Sequence, residues 1–254
     1  MQAAPARMPA GLSDRHGYGR TARALHWLSA LAILAAIGLG LTMIRLPATN
    51  EAEVARVFRA YSLHKTIGLG VLGLALVRIA WTLRHPGPGP LHPGRRVETY
   101  LARLVHLTLL GALLVLPVSG FLHHSAAPGL APVLWPFGQA LPLVPADEGL
   151  ALIFASVHRI AGWLLFAALA LHVLGAAKHQ VLDRDATLRR MVTGAGPPVP
   201  PAGLAGTTPL LAAALWAAAI IAGLVLAPAP APDPFDSLDL GPAAEIDTPA
   251  PPAD

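Results

Sequence analysis

The amino-acid sequence predicts an all-α integral membrane protein: a four-helix bundle followed by one additional C-terminal transmembrane helix. Three observations predict it. The chain of 254 residues is 54% apolar and only 13% charged, with a mean hydropathy of +0.57, which is not the balance of an ordinary soluble domain. Its apolar residues fall into five runs near or above the ~18–20 needed to cross hydrocarbon. Pro, Gly and Arg gather between those runs, where a chain must turn and meet water.

Residues 1–22 are polar, basic and turn-rich, and read as a disordered start. The first span runs from about Ala24 to Ile44, and 45–59 follow as a short loop with an amphipathic hint. The second span runs from about Tyr61 to Leu83. Between His85 and Gly94 lie four prolines and three glycines, so this stretch is a loop. The third span, about Thr99 to Leu122, carries Pro117 near its end, a residue that kinks a helix. Residues 123–149 are rich in Pro and Gly, with Trp135 and Phe137 as anchors for a membrane interface. The fourth span runs from about Leu150 to Ala177, and a polar stretch, 178–200, ends in a Pro cluster. The parts are therefore a start at 1–22, a four-helix domain at 23–192, a linker at 193–208, a fifth helix at 209–227, and a disordered acidic Ala/Pro tail at 228–254.

Charge sets the expected orientation, because Lys and Arg stay on the cytoplasmic side. Arg7, Arg15, Arg20 and Arg23 precede or open the first span; Arg84, Arg95 and Arg96 flank the 84–98 loop; Lys178, Arg184, Arg189 and Arg190 follow the fourth. The 123–151 loop has neither Lys nor Arg. The N-terminus is thus expected in the cytoplasm and the tail in the periplasm of a bacterial inner membrane. No small-residue cleavage site follows a short apolar core, so the start does not read as a cleaved signal. Cysteine is absent, which excludes disulfides, thiolate-held zinc, iron–sulfur clusters and covalent CxxCH haem.

Histidines carry the chemistry. His26, His64, His158 and His172 lie within the apolar spans, where an imidazole without a role is rare. His26 is near the cytoplasmic face, and His64 opens a span that enters from outside. His158 and His172 lie fourteen residues apart on the fourth span, ~21 Å along a helix and within roughly 40° of one face. Depth then pairs His26 with His172 inside and His64 with His158 outside. Two opposed pairs suit two haems, each held by two histidines.

The neighbours agree. Ala30, Gly68 and Gly162 each follow a ligand candidate by one turn and leave room for a flat macrocycle. Arg78 lies fourteen residues past His64, at the depth of the inner group, where a haem propionate is a natural partner for a buried guanidinium. Gly40 lies fourteen residues past His26, at the depth of the outer one. Lys65 and Arg159 each follow an outer ligand, to meet propionates or attract an anion. His106 lacks a depth-matched partner and reads as packing or as a quinone or haem-edge contact. His179 shares the face of His172 two turns on, placed for a quinone carbonyl or as a plain interfacial residue. His16, His85 and His92 read as loop residues, and His123 and His124 as an adventitious outer metal pair at most. The competing reading, histidines for packing or a proton pathway, is weakened because no Asp or Glu lies mid-span.

At these residues the chain resembles the bacterial cytochrome b561 family of four-helix di-haem membrane proteins. The matching pieces are Tyr18–Gly19–Arg20 with Leu25–His26–Trp27–Leu28, and Leu63–His64–Lys65–Thr66–Ile67–Gly68 with Arg78. They continue through His106 and Leu116–Pro117–Val118–Ser119–Gly120, then His158, His172 and Lys178–His179, and finally Asp183–Arg184–Asp185 with Arg189–Arg190–Met191. The resemblance covers about residues 18–192, and cytochrome b subunits of nickel–iron hydrogenases and formate dehydrogenases are related to it. It implies two haem b groups with His26 and His172 on the inner iron and His64 and His158 on the outer. It also implies electron exchange with ubiquinone, and in one branch oxidation of superoxide at the outer face. In that picture Lys65 and Arg159 draw superoxide in and His179 contacts quinone. The fifth span and the tail are additions to the family pattern.

Three functions follow as expectations. One is a quinone-linked oxidoreductase acting on superoxide or another small outer-face donor or acceptor. A second is a carrier subunit for a partner dehydrogenase or small cytochrome. The third is a non-redox transporter. Whether the chain is itself an enzyme is open from the residues alone. The expected partners are membrane lipid, quinone and the outer-face reactant, with a homodimer open and nucleic acid not among them.

Overall fold

The computed structural model describes residues 17–127, 131–199 and 207–230. The expected disorder of most of the start and tail, and His16, fall outside them. The described residues form helices α1 (Arg20–Met43), α2 (Glu51–Arg84), α3 (Arg96–Ala126) and α4 (Glu148–Lys178), then a π turn (His179–Asp183), α5 (Thr187–Val192) and α6 (Thr208–Val225). There is no strand among them. Five helices are long and apolar enough to cross a membrane, each with a most apolar window averaging 1.8–2.1 in hydropathy. The fold is an all-α membrane bundle.

Three boundaries differ from the sequence reading. The 45–59 segment is not mainly a loop, because α2 starts at Glu51. Asn50 caps it, its side chain accepting from the Glu53 backbone N–H at 3.0 Å. The Glu53 carboxylate accepts in return from the Thr49 N–H at 2.9 Å and the Thr49 hydroxyl at 2.7 Å. This reciprocal cap, with Glu51 and Glu53 in the first turn, suits the positive end of the helix dipole. At 34 residues, α2 is roughly 50 Å long and overruns the ~30 Å hydrocarbon core. Residues 17–22 are ordered rather than loose: α1 begins at Arg20, and Gly17 lies against the Gly194 carbonyl so closely that a Cβ would overlap it. Finally, the polar 178–200 stretch folds into the π turn and α5. Buried Arg190 donates twice, at 3.1 Å, to the Gly89 carbonyl, and the Arg23 guanidinium donates to the Val192 carbonyl at 2.7 Å.

The interior is built from small residues. Ser29, Ala75, Ala112, Ala126, Ser156 and Ala161 are buried, whereas Leu31, Trp163, Leu174 and Leu210 are exposed on the outside. That inversion is expected where lipid, not water, surrounds the helices and backbone approach drives packing. Ser29, Thr66 and Ser125 return their hydroxyls to carbonyls one turn back, so no polar atom of theirs is left in hydrocarbon. α1 packs on α2, α3 on α4, and α6 lies against both α3 and α4. The backbones of α1 and α2 hardly approach α4, and the site lies in that gap.

Candidate functional site

Three helices bring four histidines together in two pairs. The rings of His64 (α2) and His158 (α4) have centres 6.2 Å apart. Those of His26 (α1) and His172 (α4) are also 6.2 Å apart. Metal–nitrogen bonds of about 2.0–2.1 Å on each side put two imidazole centres a little over 6 Å apart. Both pairs therefore stand at the separation of rings gripping one metal centre, and the pairing is the one that depth demanded.

The His64–His158 pair is held by a repeated device. His64 Nδ1 donates to the Ala36 carbonyl at 2.9 Å, and His158 Nδ1 donates to the Leu116 carbonyl at 3.0 Å. The residues one turn past those carbonyls are Gly40 and Gly120. A Cβ on Gly40 would lie 3.1 Å from His64 Cε1, and one on Gly120 would lie 3.2 Å from the His158 ring. Glycine thus opens each helix surface enough for an imidazole to reach a carbonyl already used in the helix. A carbonyl only accepts, so Nδ1 carries the proton and Nε2 keeps its lone pair, as a metal ligand requires. The Ser119 hydroxyl lies 3.2 Å from His158 Nδ1 and itself donates to Leu116 at 3.1 Å.

Between these rings is an apolar cavity of about 520 Å³, whose lining includes Ile37, Val71, Leu113, Leu116 and Phe166. Gly68 and Gly162 are on its wall, with open space where a Cβ would project. Two lone pairs facing across an apolar slot with a glycine floor are the donor set and shape that haem needs, and the residues present fit that group.

Cations and a loop rim the cavity. Lys65 and Arg159 both line it, but differently. Lys65 donates to the Ala131 carbonyl at 2.7 Å and lies 3.1 Å from His124 Nδ1. The neighbouring Thr66 hydroxyl accepts from the Leu134 N–H at 2.9 Å. These two residues pin the 131–135 segment beside the cavity, where Val133 forms part of the wall. Arg159 is exposed and donates to Ser156 Oγ at 3.3 Å. His123 instead donates to the Ala151 carbonyl at 2.8 Å, so His123 and His124 serve separate contacts.

The His26–His172 pair has other company. Arg78 approaches His26 Nδ1 at 3.4 Å, as its spacing predicted for a residue at this depth. His106, which the sequence left without a partner, has its ring 5.0 Å from that of His172, edge to face. Its Nδ1 donates to the Ala102 carbonyl. Nothing in the primary pattern marks that contact, since it depends on how α3 is rotated.

His179 is enclosed by carboxylates. Its Nδ1 lies 2.8 Å from Asp185 and 3.2 Å from Asp183, and its Nε2 lies 3.0 Å from Glu98. Lys178 joins Glu98 at 3.1 Å and Asp183 at 2.6 Å; Arg95 joins Asp183 at 3.1 Å; His92 joins Asp185 at 3.0 Å. Burial would push the Asp185 carboxyl up. Hydrogen bonds from the side chain and backbone N–H of Thr187, and from His179 and His92, win and hold it well below the usual carboxylate range. Glu98, His179 and Asp183 present donor atoms within 4.8 Å of one another, but the Lys178 ammonium already pairs with both carboxylates. The cluster clasps the start of α3 to the end of α4, and His92 belongs to it rather than to a free loop. His85 stacks on Trp81 with ring centres 3.9 Å apart.

Comparison with known proteins agrees with this geometry. Residues 17–194 match the family described as prokaryotic cytochrome b561. The chain is 32% identical over 176 residues to cytochrome b561 homolog 2 of Escherichia coli (strain K12), a match covering 69% of this chain and 90% of that protein. Two facing histidine pairs among apolar helices, within the matched segment, leave one conclusion: the chain belongs to the prokaryotic cytochrome b561 family, as a multi-pass membrane protein of b-type haem electron transfer.

Proposed function

We propose that this protein carries electrons across the membrane between an outer-face reactant and the quinone pool on two haem b groups. His64 and His158 hold the outer one, and His26 and His172 the inner. The observation that carries the reading is the equal 6.2 Å separation of both ring pairs with α4 supplying one histidine to each, fourteen residues apart. The haem-binding unit is residues 23–192, joined by 193–208 to the fifth helix at 209–227, with the acidic tail of 228–254 beyond. Charge bias puts the N-terminus in the cytoplasm and the tail in the periplasm of a bacterial inner membrane.

Haem would supply a one-electron couple, and held by His64 with His158 and by His26 with His172 it would exchange electrons with small reactants in an outer-sphere manner. The chain's own residues do the rest. Ala36 and Leu116 orient the outer imidazoles and raise their basicity. Gly40 and Gly120 let those contacts form, and Gly68 and Gly162 leave space for a flat ring. Arg78, set against His26, supplies positive charge for a propionate at the inner site. Arg159, exposed at the cavity rim, is placed to meet an approaching anion such as superoxide. Lys65 instead secures the neighbouring loop. On the inner side His106 and His179 are the candidate contacts for a quinone such as ubiquinone, although His179 must first release a carboxylate. Superoxide oxidation coupled to ubiquinone is the specific reaction these features favour.

The test is direct. Purified protein should show a dithionite-reducible b-type spectrum with two haems per chain. A superoxide pulse should reduce the haem rapidly, salt should slow that step, and a ubiquinone analogue should reoxidise it. A single haem per chain would overturn the assignment of two pairs. Reduction only by a co-purifying dehydrogenase or small cytochrome would favour a carrier subunit.

A further inference from the structure

We propose that α6 buttresses the wall of the outer cavity from behind, with Trp216 a positioning residue for the group between His64 and His158. This rests on the reading that those two histidines hold a haem.

α6 lies beyond the segment matched to the family, yet it packs as an integral helix. Thr208, Ala212, Trp216 and Gly223 are its buried residues, at intervals that make one stripe along the helix. Two of them lock. The Trp216 indole N–H donates to the Thr108 carbonyl at 3.2 Å. Its ring fills a notch at Gly111, where even a Cβ would overlap it. Two turns further on, Gly223 meets α4 backbone to backbone: a Cβ there would come 2.5 Å from Val157 Cα. Val157 immediately precedes His158.

Trp216 is also in one packed cluster with Ala112, Ala161 and Leu165, with Ile33, Ile37 and Leu116 against it. Ala112, Leu165, Ile33, Ile37 and Leu116 line the cavity, with Trp216 packed behind them, and Leu116 gives His158 its carbonyl. α6 therefore bears on the outer site twice: on the wall through Trp216, and on the ligand's own turn through Gly223. The described geometry gives it no such contact with His26 or His172. A four-helix bundle could keep its inner pair without α6, but here the outer wall is shaped against it.

The experiment compares full-length Trp216→Ala, Trp216→Phe and Gly223→Leu with wild type. Readouts are haem per chain, the two low-spin spectral components, the two midpoint potentials, and thermal melting of haem-free protein. Supporting contacts around a metal group typically govern its affinity by about 10–100-fold. Trp216→Ala should lose outer haem affinity by roughly tenfold and shift only the outer potential. Trp216→Phe, which keeps the bulk, should retain most of the outer haem. Gly223→Leu should disturb the outer spectrum alone. Equal loss of both haems in Trp216→Ala, or unchanged outer haem in both Trp216→Ala and Gly223→Leu, overturns the proposal. If haem-free Trp216→Ala melts like wild type while its outer haem is lost, general unfolding is excluded as the cause. Failure of the underlying reading is separately visible, since wild type would then lack a second haem.

Discussion

Gly40→Ala is the narrowest perturbation of the outer pair, and its size follows from the contact it creates. The new methyl would stand 3.1 Å from His64 Cε1, whereas carbon atoms in good contact sit about 3.5–4.0 Å apart. The ring must retreat by roughly half an ångström to reach that contact distance. Its hydrogen bond to the Ala36 carbonyl, 2.9 Å long, then stretches past the ~3.2 Å where such bonds fade. Loss of a partner behind a metal-bound imidazole costs about 10–100-fold in affinity, so a stretched bond should cost about tenfold. The assay is titration of haem into haem-free protein in detergent, reading the low-spin bands of each site. Gly73→Ala is the control: it has open space around its Cβ position and lies off the cavity, and should bind both haems normally. Gly68→Ala should keep the haem-free protein intact, since its methyl meets nothing, yet weaken the outer site because the methyl enters the cavity. Wild-type outer affinity in Gly40→Ala would refute the idea that glycine sets the reach of His64.

Other outcomes follow from the same geometry. His64→Ala or His158→Ala should lose only the outer haem, and His26→Ala or His172→Ala only the inner; haem content and redox titration separate them. Lys65→Met removes charged hydrogen bonds worth about 1.5–3 kcal/mol and should loosen the loop at Ala131, seen as faster amide exchange there with both haems kept. Because the Asp185 carboxyl is held below its ordinary value, it stabilises the folded state at pH values above about 3.9, the unfolded reference. That contribution drains away as pH falls through the lower folded value. Wild type should lose melting temperature on acidification below pH 4 more steeply than Asp185→Asn, and equal slopes would remove Asp185 from the account.

Much of this protein is legible in one dimension because membranes impose strict local rules. A backbone in hydrocarbon must bond to itself, so five apolar runs become five helices. The helical repeat then puts His158 and His172 on one face, and span direction pairs them with His64 and His26. The cap of α2 is encoded in Thr49–Asn50–Glu51–Ala52–Glu53, a local signal that the reading of 45–59 as a loop missed. Other features depend on how helices rotate and meet. His106 reaches His172 only because of the turn of α3. Lys65, at the cavity rim, is engaged by His124 and the Ala131 carbonyl because the 131–135 segment packs beside it. His179 is surrounded by Glu98, Asp183 and Asp185 because a π turn swings the chain under α3. The sequence by itself determined the number of helices long and apolar enough to cross the membrane and which mid-span histidines face each other, since hydropathy and period are properties of neighbours along the chain. Only the tertiary structure decided which carbonyl steadies each imidazole, and that α6 packs behind the outer wall, because such contacts join residues 28 to 108 positions apart through the shapes of facing surfaces.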